Sequence, residues 1–145
     1  MNIHWQPPRS GRIETPLVTG GLPDGRFELA LLRHGARTAI GRQFVSYPFH
    51  LTRPFAFDRA IPSLLTIYQQ SSSGGLYRGE RLACRYDVGP HAAAPVTTQA
   101  ATIVHDCHGQ QASLAVDIAL DEGAFFALTP DPLVLFPGAS CTSRI

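Results

Sequence analysis

Apolar and polar positions alternate with a period of two over several stretches of this chain, and that period predicts β-strands. In the clearest stretch one face carries Leu82, Cys84, Tyr86 and Val88. Near the start, a similar stretch places Phe27, Leu29 and Leu31 on one face. No segment shows the stripe of an amphipathic helix, and residues 97–104 are interpreted as extended. The chain is therefore expected to be all-β, with stacked antiparallel or mixed strands and little or no helix.

A second alternating stretch repeats the first at a distance of 32 residues. Its apolar face carries Leu114, Val116, Ile118 and Leu120. The correspondence continues downstream, because residues 89–92 match 121–124 and residues 94–97 match 126–129. This spacing predicts a strand-turn-strand unit whose copies stack and share a core. No third copy is found, and a plain β-sandwich gives similar spacing, so β-helix-like and sandwich-like architectures both remain open.

The remaining segments divide the chain into a tail and one domain. Residues 1–24 are broken by Pro and Gly too often to hold a period, which predicts a flexible N-terminal tail before a single β domain at 25–145. Residues 42–57 carry Pro48 and Pro54, as edge strands or a bent strand do. Residues 63–70 are apolar and β-branched, which predicts a strand covered on both faces, and residues 71–75 predict a loop.

Composition narrows the classes of function. The 145 residues suit one domain, and the net charge of +1 provides no basic field for nucleic acid or an anionic membrane. No apolar run reaches the roughly 18 residues that would span a bilayer. Residues 1–14 lack a secretory signal, so a cytoplasmic location is expected, with the three cysteines reduced.

The strongest cluster of chemical groups is His105-Asp106-Cys107-His108. At strand spacing His105 and Cys107 project from one face, and His108 lies at the turn that Gly109 opens. Imidazole and thiolate suit nickel, copper or zinc, so His105, Cys107 and His108 are candidate metal ligands, with Cys84 or His91 as a fourth. The alternative is the polar end of a hairpin with a half-buried cysteine.

Signals of catalysis are weak throughout the sequence. The chain has no G-x-S-x-G elbow, and no two aspartates stand at a spacing that argues for acid–base work. Residues 74–79 lack G-K-[ST] and precede a strand, so they are not a phosphate loop. An enzyme is therefore not expected.

Four stretches in order carry a family resemblance: residues 48–55 (PFHLTRPF), 73–82 (SGGLYRGERL), 97–102 (TTQAAT) and 133–139 (LVLFPGA). Together they resemble the N-terminal half of the urease accessory protein UreD, also called UreH. The family pattern runs roughly P-L-x-V-x-[RK]-P-F, G-G-[IL]-x-G-G-[DE]-R-L and T-T-x-x-A, followed by a strand that ends in F-x-G-A. The resemblance covers about residues 25–145.

The resemblance implies an all-β, β-helix-like fold and a role without catalysis. UreD-like proteins act as scaffolds that join UreF and the GTPase UreG, dock on apo-urease and help route nickel into it. No tightly bound cofactor is implied, and nickel would be held transiently. Glycines would shape a tight loop, Arg81 would place a cation at a strand start, and threonines would offer hydroxyls. The family-motif positions are Arg53, Pro54, Gly74, Gly75, Gly79, Glu80, Arg81, Thr97 and Thr98.

The chain departs from the family pattern in three ways. Arg78 stands where the family usually has glycine, so a left-handed backbone there would be strained. The cluster at 105–108 falls where aromatic and basic residues are usual, and family members continue for about as long again. The alternative function is a truncated β-rich protein-interaction module that has lost nickel delivery.

Overall fold

The computed structural model describes residues 21–57 and 60–145, and every regular element in them is a strand. In chain order these are β1 (Gly25–His34), β2 (Arg37–Val45), β3 (Phe49–Leu51), β4 (Ile67–Ser71), β5 (Arg81–Val88), β6 (Ala93–Thr98), β7 (Thr102–Val104), β8 (Ala112–Leu120), β9 (Phe125–Thr129), β10 (Leu133–Leu135) and β11 (Cys141–Arg144). The all-β prediction is confirmed. No helix in the described part of the chain is long and apolar enough to cross a bilayer.

The strands form three sheets that wind as successive coils. One sheet has the order β11-β8-β5-β1-β2, a second has the order β3-β4-β6-β9, and a third pairs β7 with β10. We define coil 1 as β1, β4 and Leu76, coil 2 as β5, β6 and β7, coil 3 as β8, β9 and β10, and coil 4 as β11. Strands of successive coils pair in parallel, and Leu76 forms a parallel bridge to Val104.

The 32-residue repeat is confirmed in its residue-by-residue register. Leu82 pairs with Leu114 between β5 and β8, and Ala94 pairs with Phe126 between β6 and β9. The pairing is parallel and joins consecutive coils, so the β-helix-like alternative describes the molecule. Two strand pairs outside this repeat have an offset of 29 residues, since Cys141 pairs with Ala112 and Ile67 with Val96. A search at a fixed period of 32 therefore misses them.

The inward faces of the coils form the core. Side chains of coils 1 and 2 are fully buried there, including Phe27, Ile67, Tyr86, Val96 and Val104. The Tyr86 ring contacts the Phe27 ring at a centroid distance of 6.0 Å and the Phe126 ring at 4.9 Å. Aromatic contacts along the axis thus connect three coils, and burial of these apolar side chains is the main stabilising term.

Antiparallel strands close one end of the stack. β2 pairs with β1, and β3 pairs with β4, at the edges beyond coil 1. Phe49 is buried beneath this closure, and Ile40 and Val45 pack against the core. Of the two alternatives predicted for residues 42–57, edge strands are confirmed here, because β2 and β3 are the outer strands of their sheets.

The strand prediction at 63–70 is corrected by the structure, and the tail prediction lies mostly outside the described residues. The strand predicted at 63–70 is not covered on both faces: Ile67 is buried, whereas Tyr68 on the outer face is 37% exposed. A segment that contains Phe55 lies beside that outer face, and the Phe55 ring stacks on the Tyr68 ring at a centroid distance of 5.9 Å. Most of the predicted tail, residues 1–20, lies outside the described residues. Within the rest of it, Asp24 accepts a hydrogen bond from the Arg81 backbone N–H at 2.8 Å.

Candidate functional site

A cavity of about 430 Å³, partly open to solvent, lies among the coils. Residues of all four coils contribute to its wall, including Gln69 of coil 1 and Ser143 of coil 4. Gly75, which precedes Leu76 of coil 1, also lines it. Most of the lining is apolar, because inward side chains form the core. The polar groups that do reach the cavity are therefore the ones able to bind or guide a polar cargo.

Three of the polar side chains in the wall form a hydrogen-bonded chain. The Tyr86 hydroxyl donates to Gln69 Oε1, and Gln69 Nε2 donates to the Cys84 sulfur at 3.5 Å. Burial raises the pKa of the Cys84 thiol to about 12, and it also raises the pKa of Tyr86 well above its usual value. Cys84 is thus a protonated thiol at neutral pH, and a metal ion must displace that proton to bind it.

The glycine pair of the family motif places the backbone close to the third sheet. Gly75 has φ of +141°, and a Cβ at this position would lie 2.1 Å from the Ile103 carbonyl oxygen. The Leu76 N–H donates to that same oxygen at 2.7 Å. Glycine is therefore required at 75 by both conformation and space. Gly74 precedes it, and its carbonyl accepts a hydrogen bond from His105 Nε2 at 3.1 Å.

Residues 77–80 form a tight turn that leads into β5. The Glu80 N–H donates to the Tyr77 carbonyl at 3.1 Å, and Gly79 has φ of +67°. A positive φ at the third position of a turn is the type II pattern, for which glycine is favoured. The expected strain at Arg78 is absent, because its backbone is not left-handed and Gly79 takes that conformation instead. Arg78 Nε donates to Gln110 Oε1 of the turn below at 2.9 Å.

The charged pair after this turn fixes the start of β5. Glu80 Oε2 accepts a hydrogen bond from the Tyr77 N–H at 3.0 Å. Partial burial raises the pKa of Glu80, and the nearby Asp24 carboxylate acts in the same direction. Arg81 opens β5 as the resemblance implies, and its Nε lies 3.7 Å from Asp24 Oδ2. The Glu80 carboxylate and the Arg81 guanidinium are thus both held by neighbouring groups where the turn meets β5.

The threonine pair joins two coils on the second sheet. The Thr97 hydroxyl donates to the Thr129 carbonyl at 2.7 Å. Thr98 Oγ1 accepts a hydrogen bond from the Asp131 N–H at 2.8 Å and lines the cavity. Arg53 and Pro54 lie elsewhere, in the segment after β3, with Arg53 exposed. The motif positions therefore divide into a group at the cavity (Gly74, Gly75, Thr98) and a group away from it.

The predicted metal ligands do not share one face. His105 lies on the outside of the third sheet, where its ring stacks on Tyr77 at 4.6 Å. Cys107 is fully buried, and its thiol donates to the Ser140 carbonyl at 3.2 Å. The expectation that His105 and Cys107 project together is wrong, since the chain turns a corner between them.

His108 is exposed in the following turn, with Nδ1 3.4 Å from Asp106 Oδ2. In residues 21–57 and 60–145, no three His, Cys, Asp or Glu side chains are grouped so that they could hold a metal ion. His91, named as a possible fourth ligand, lies at a turn against Gly123. Metal binding at 105–108 stays a prediction without a preformed ligand set behind it.

The cavity wall includes two residues that sequence reasoning did not single out. In the sequence, Gln69 and Tyr86 stand at ordinary strand positions, because period-two alternation identifies an inward face without showing what the inward side chains contact. The sequence does contain one indication of a polar group in the core: Gln69 is two residues from the apolar Ile67 and therefore lies on the same face of the strand. A polar residue on a core face requires a buried partner, and Tyr86 supplies it.

Comparison with known proteins agrees with the family resemblance that the four motif stretches carry. The model of the UreD urease accessory protein family matches residues 23–145. Urease accessory protein UreD 3 of Bradyrhizobium sp. (strain ORS 278) is 48% identical over 130 residues, which are 88% of this chain and 46% of the relative. UreD 1 of Bradyrhizobium sp. (strain BTAi1 / ATCC BAA-1182) is 45% identical over the same shares.

A third relative, UreD 1 of Methylorubrum populi, is 45% identical over 111 residues, which are 77% of this chain and 38% of the relative. The chain thus spans less than half the length of these curated relatives. The family match over most of its residues shows that the chain belongs to the UreD urease accessory protein family.

Proposed function

We propose that this chain acts in urease maturation as a scaffold that catalyses no reaction of its own. The observation that carries the proposal is the family match over residues 23–145, together with relatives that are named urease accessory proteins. In this proposal the chain works with UreF-like and UreG-like proteins and docks on apo-urease in the cytoplasm. Its contribution is to hold partners in place and to pass nickel between them.

The cavity among the coils supports a route for nickel as cargo. Its wall combines an apolar surface with the Gln69 amide, the Tyr86 hydroxyl and the Cys84 thiol. Amide and hydroxyl oxygens bind a divalent cation weakly, and a protonated thiol adds little attraction until it loses its proton. Such a wall suits transient passage better than storage, because a carrier has to release its ion.

Pull-down and activation assays test the scaffold proposal. A tagged form of the chain is expressed in cells that carry a urease operon whose own UreD gene is deleted. We expect UreF-like and UreG-like proteins and apo-urease to co-purify with the tagged chain, and urease activity to rise above that of the deletion strain. If partners bind without any gain in activity, the interaction-module alternative replaces nickel delivery. If no partner binds, the scaffold proposal is rejected.

A paired substitution tests the nickel route. Gln69→Met keeps the side-chain size and removes polar atoms from the cavity wall, and Gln43→Met makes the same change on the exposed surface of β2. We expect Gln69→Met to leave partner co-purification intact while it lowers the nickel content of urease. The Gln43→Met variant should match the unmodified chain in both measurements. Equal nickel content in the two variants would remove the cavity from the route.

A further inference from the structure

A β-hairpin extends from the stack at the corner where the first sheet leads into the second. Leu31 of β1 pairs with Val88 of β5, which in turn pairs with Leu120 of β8. β5 and β8 end at that level, whereas β1 continues for three more residues, to His34, before a two-residue turn leads into β2. Because a strand advances about 3.3 Å per residue, the hairpin continues about 10 Å past the neighbouring turns.

The tip of this hairpin is basic, and we define the basic tip as Arg33 and Arg37. Both side chains are exposed, and neither forms an ion pair with another residue that the structure describes. The Ala93 N–H donates to Thr38 Oγ1 at 2.9 Å, so β6 holds the hairpin just below its tip. A guanidinium group presents a planar fork of donors that matches a carboxylate. The basic tip is thus a held pair of cations suited to carboxylate groups.

An acidic turn lies on the same edge of the stack and consists of Asp121 and Glu122, which follow β8. Glu122 is exposed and Asp121 is half-buried, and within residues 21–57 and 60–145 neither carboxylate has an ion-pair partner. The His91 N–H donates to the Glu122 carbonyl at 3.0 Å, so the turns after β5 and β8 are stacked. β1 and β5 separate β2 from β8, which places the acidic turn about 14 Å from β2.

We propose that two copies of this chain associate along this edge through a two-fold axis, with the basic tip of each copy against the acidic turn of the other. A two-fold axis reverses the order of groups along an edge, so each basic group of one copy faces an acidic group of the other. Two arginines and two carboxylates on each copy provide equal and opposite charge. The turn after β5, which contains Pro90 and His91, lies between them. A second copy is the occupant because this chain already carries both complementary groups.

The proposed contact is electrostatic, and its strength should therefore depend on salt. Exposed ion pairs are individually weak, and dissolved ions screen them. We expect sedimentation equilibrium to show a reversible dimer within protein concentrations up to about 1 mM at low salt. The association constant should fall at least about tenfold when sodium chloride rises from about 0.02 M to about 0.3 M.

Charge reversal on each side of the contact tests the interface. The Arg33→Glu/Arg37→Glu variant has an acidic tip, and the Asp121→Arg/Glu122→Arg variant has a basic turn. We expect each variant alone to associate at least about tenfold more weakly than the unmodified chain, because like charges then face each other. Far-UV circular dichroism checks that both variants keep the strands of the unmodified chain.

A matched control separates the edge from net charge. Arg78→Glu/Arg144→Glu changes the net charge by the same amount as reversal of the basic tip, at two exposed residues. Arg78 precedes β5, and Arg144 pairs with Ala115 in the first half of β8, so both lie away from the proposed edge. We expect this control to associate within about twofold of the unmodified chain at equal salt.

A mixture of the two reversed variants tests the two-fold arrangement itself. The acidic tip of one variant then faces the basic turn of the other, and the two unmodified groups also face each other, so both contacts are complementary. We expect the mixture to associate within about threefold of the unmodified chain, although neither variant does so alone. A different protein bound at the basic tip would not produce this recovery.

Several results would overturn the proposal. The unmodified chain remains monomeric at every concentration, or the dimer is unchanged in the reversed variants, or their mixture fails to associate. Loss of a urease-operon protein from the Arg33→Glu/Arg37→Glu variant, with a chain that is monomeric alone, would assign the tip to another partner instead. The contact uses no residue of the cavity wall, so its failure leaves the scaffold proposal in place.

Discussion

At the scale of single residues, the family motif consists mostly of positions that fold the chain. Gly75 approaches the third sheet so closely that its missing side chain is what permits the Leu76 hydrogen bond to Ile103. Gly79 provides the left-handed residue of a turn. Glu80 and Arg81 are held where the turn leads into β5. A motif that defines a family can thus be explained largely by backbone geometry.

Adjacent glycines give a direct test of this explanation. Gly75→Ala should lower the free energy of unfolding by at least about 2 kcal/mol, since it combines an unfavourable φ with a backbone clash. Gly74→Ala should change it by less than about 1 kcal/mol, because a Cβ there meets only the Tyr77 hydroxyl at 2.9 Å, the far end of a flexible side chain. Urea unfolding of the two variants measures both values. Similar losses in the two variants would contradict this reading of the motif.

At the scale of strands, a buried carboxylate ties the first sheet together. Asp87 on β5 is 3% exposed and accepts hydrogen bonds from Arg85 Nε at 3.0 Å and from Arg42 of β2 at 3.3 Å. The hydrogen bond between Arg85 and Asp87 raises the pKa of Arg85. β1 lies between β2 and β5, so this contact crosses an intervening strand. The carboxylate therefore links the antiparallel closure to the parallel coils.

Removing this carboxylate should destabilise the sheet. Asp87→Ala is expected to lower the free energy of unfolding by about 2–3 kcal/mol, because a largely buried arginine loses its partner. Asp117→Ala serves as the control, since Asp117 is 46% exposed and lies 3.7 Å from Arg85. We expect that change to cost less than about 0.5 kcal/mol. Chemical denaturation of both variants checks the difference, and equal values would show that burial does not set the strength of the network.

Sequence periodicity predicted β5, β6, β8 and β9 and the register between them, because the same alternation recurs 32 residues later. It did not predict which sheet each strand joins, since spacing alone does not distinguish parallel coils from a sandwich. The composition of residues 63–70 also led to a wrong prediction for the outer face of β4, because Tyr68 is a large ring that is nevertheless partly exposed there. For the site, Thr98 and Gly75 were selected from the motif, whereas the link between Gln69 and Tyr86 spans 17 residues and requires the fold.

At the scale of the whole molecule, the two ends of the stack have unequal protection. β5 is paired on both sides, by β1 and β8, and its inward side chains are buried. β10 is paired only with β7, and all three of its residues are exposed. Stability in a stacked protein is approximately a sum over neighbouring units, so the unit with one neighbour opens first.

Hydrogen exchange should therefore follow the order of the coils. We expect backbone amides of β10 and β11 to exchange fastest, those of β8 and β9 at intermediate rates, and those of β1 and β5 slowest. Exchange followed by mass spectrometry at peptide resolution measures the gradient. Protection in β10 equal to that in β5 would show that the stack opens as one cooperative unit.

The 32-residue register that two sheets share between coils 2 and 3 also limits how a gene for such a chain can lengthen. Duplication of residues 81–112 would add one full circuit, because Arg81 lies directly beneath Ser113. Every later strand would then keep its sheet and its inward face. An insertion of one residue within a strand would instead turn its apolar side chains outward. Growth by whole circuits is therefore the change of length that this architecture accepts at lowest cost.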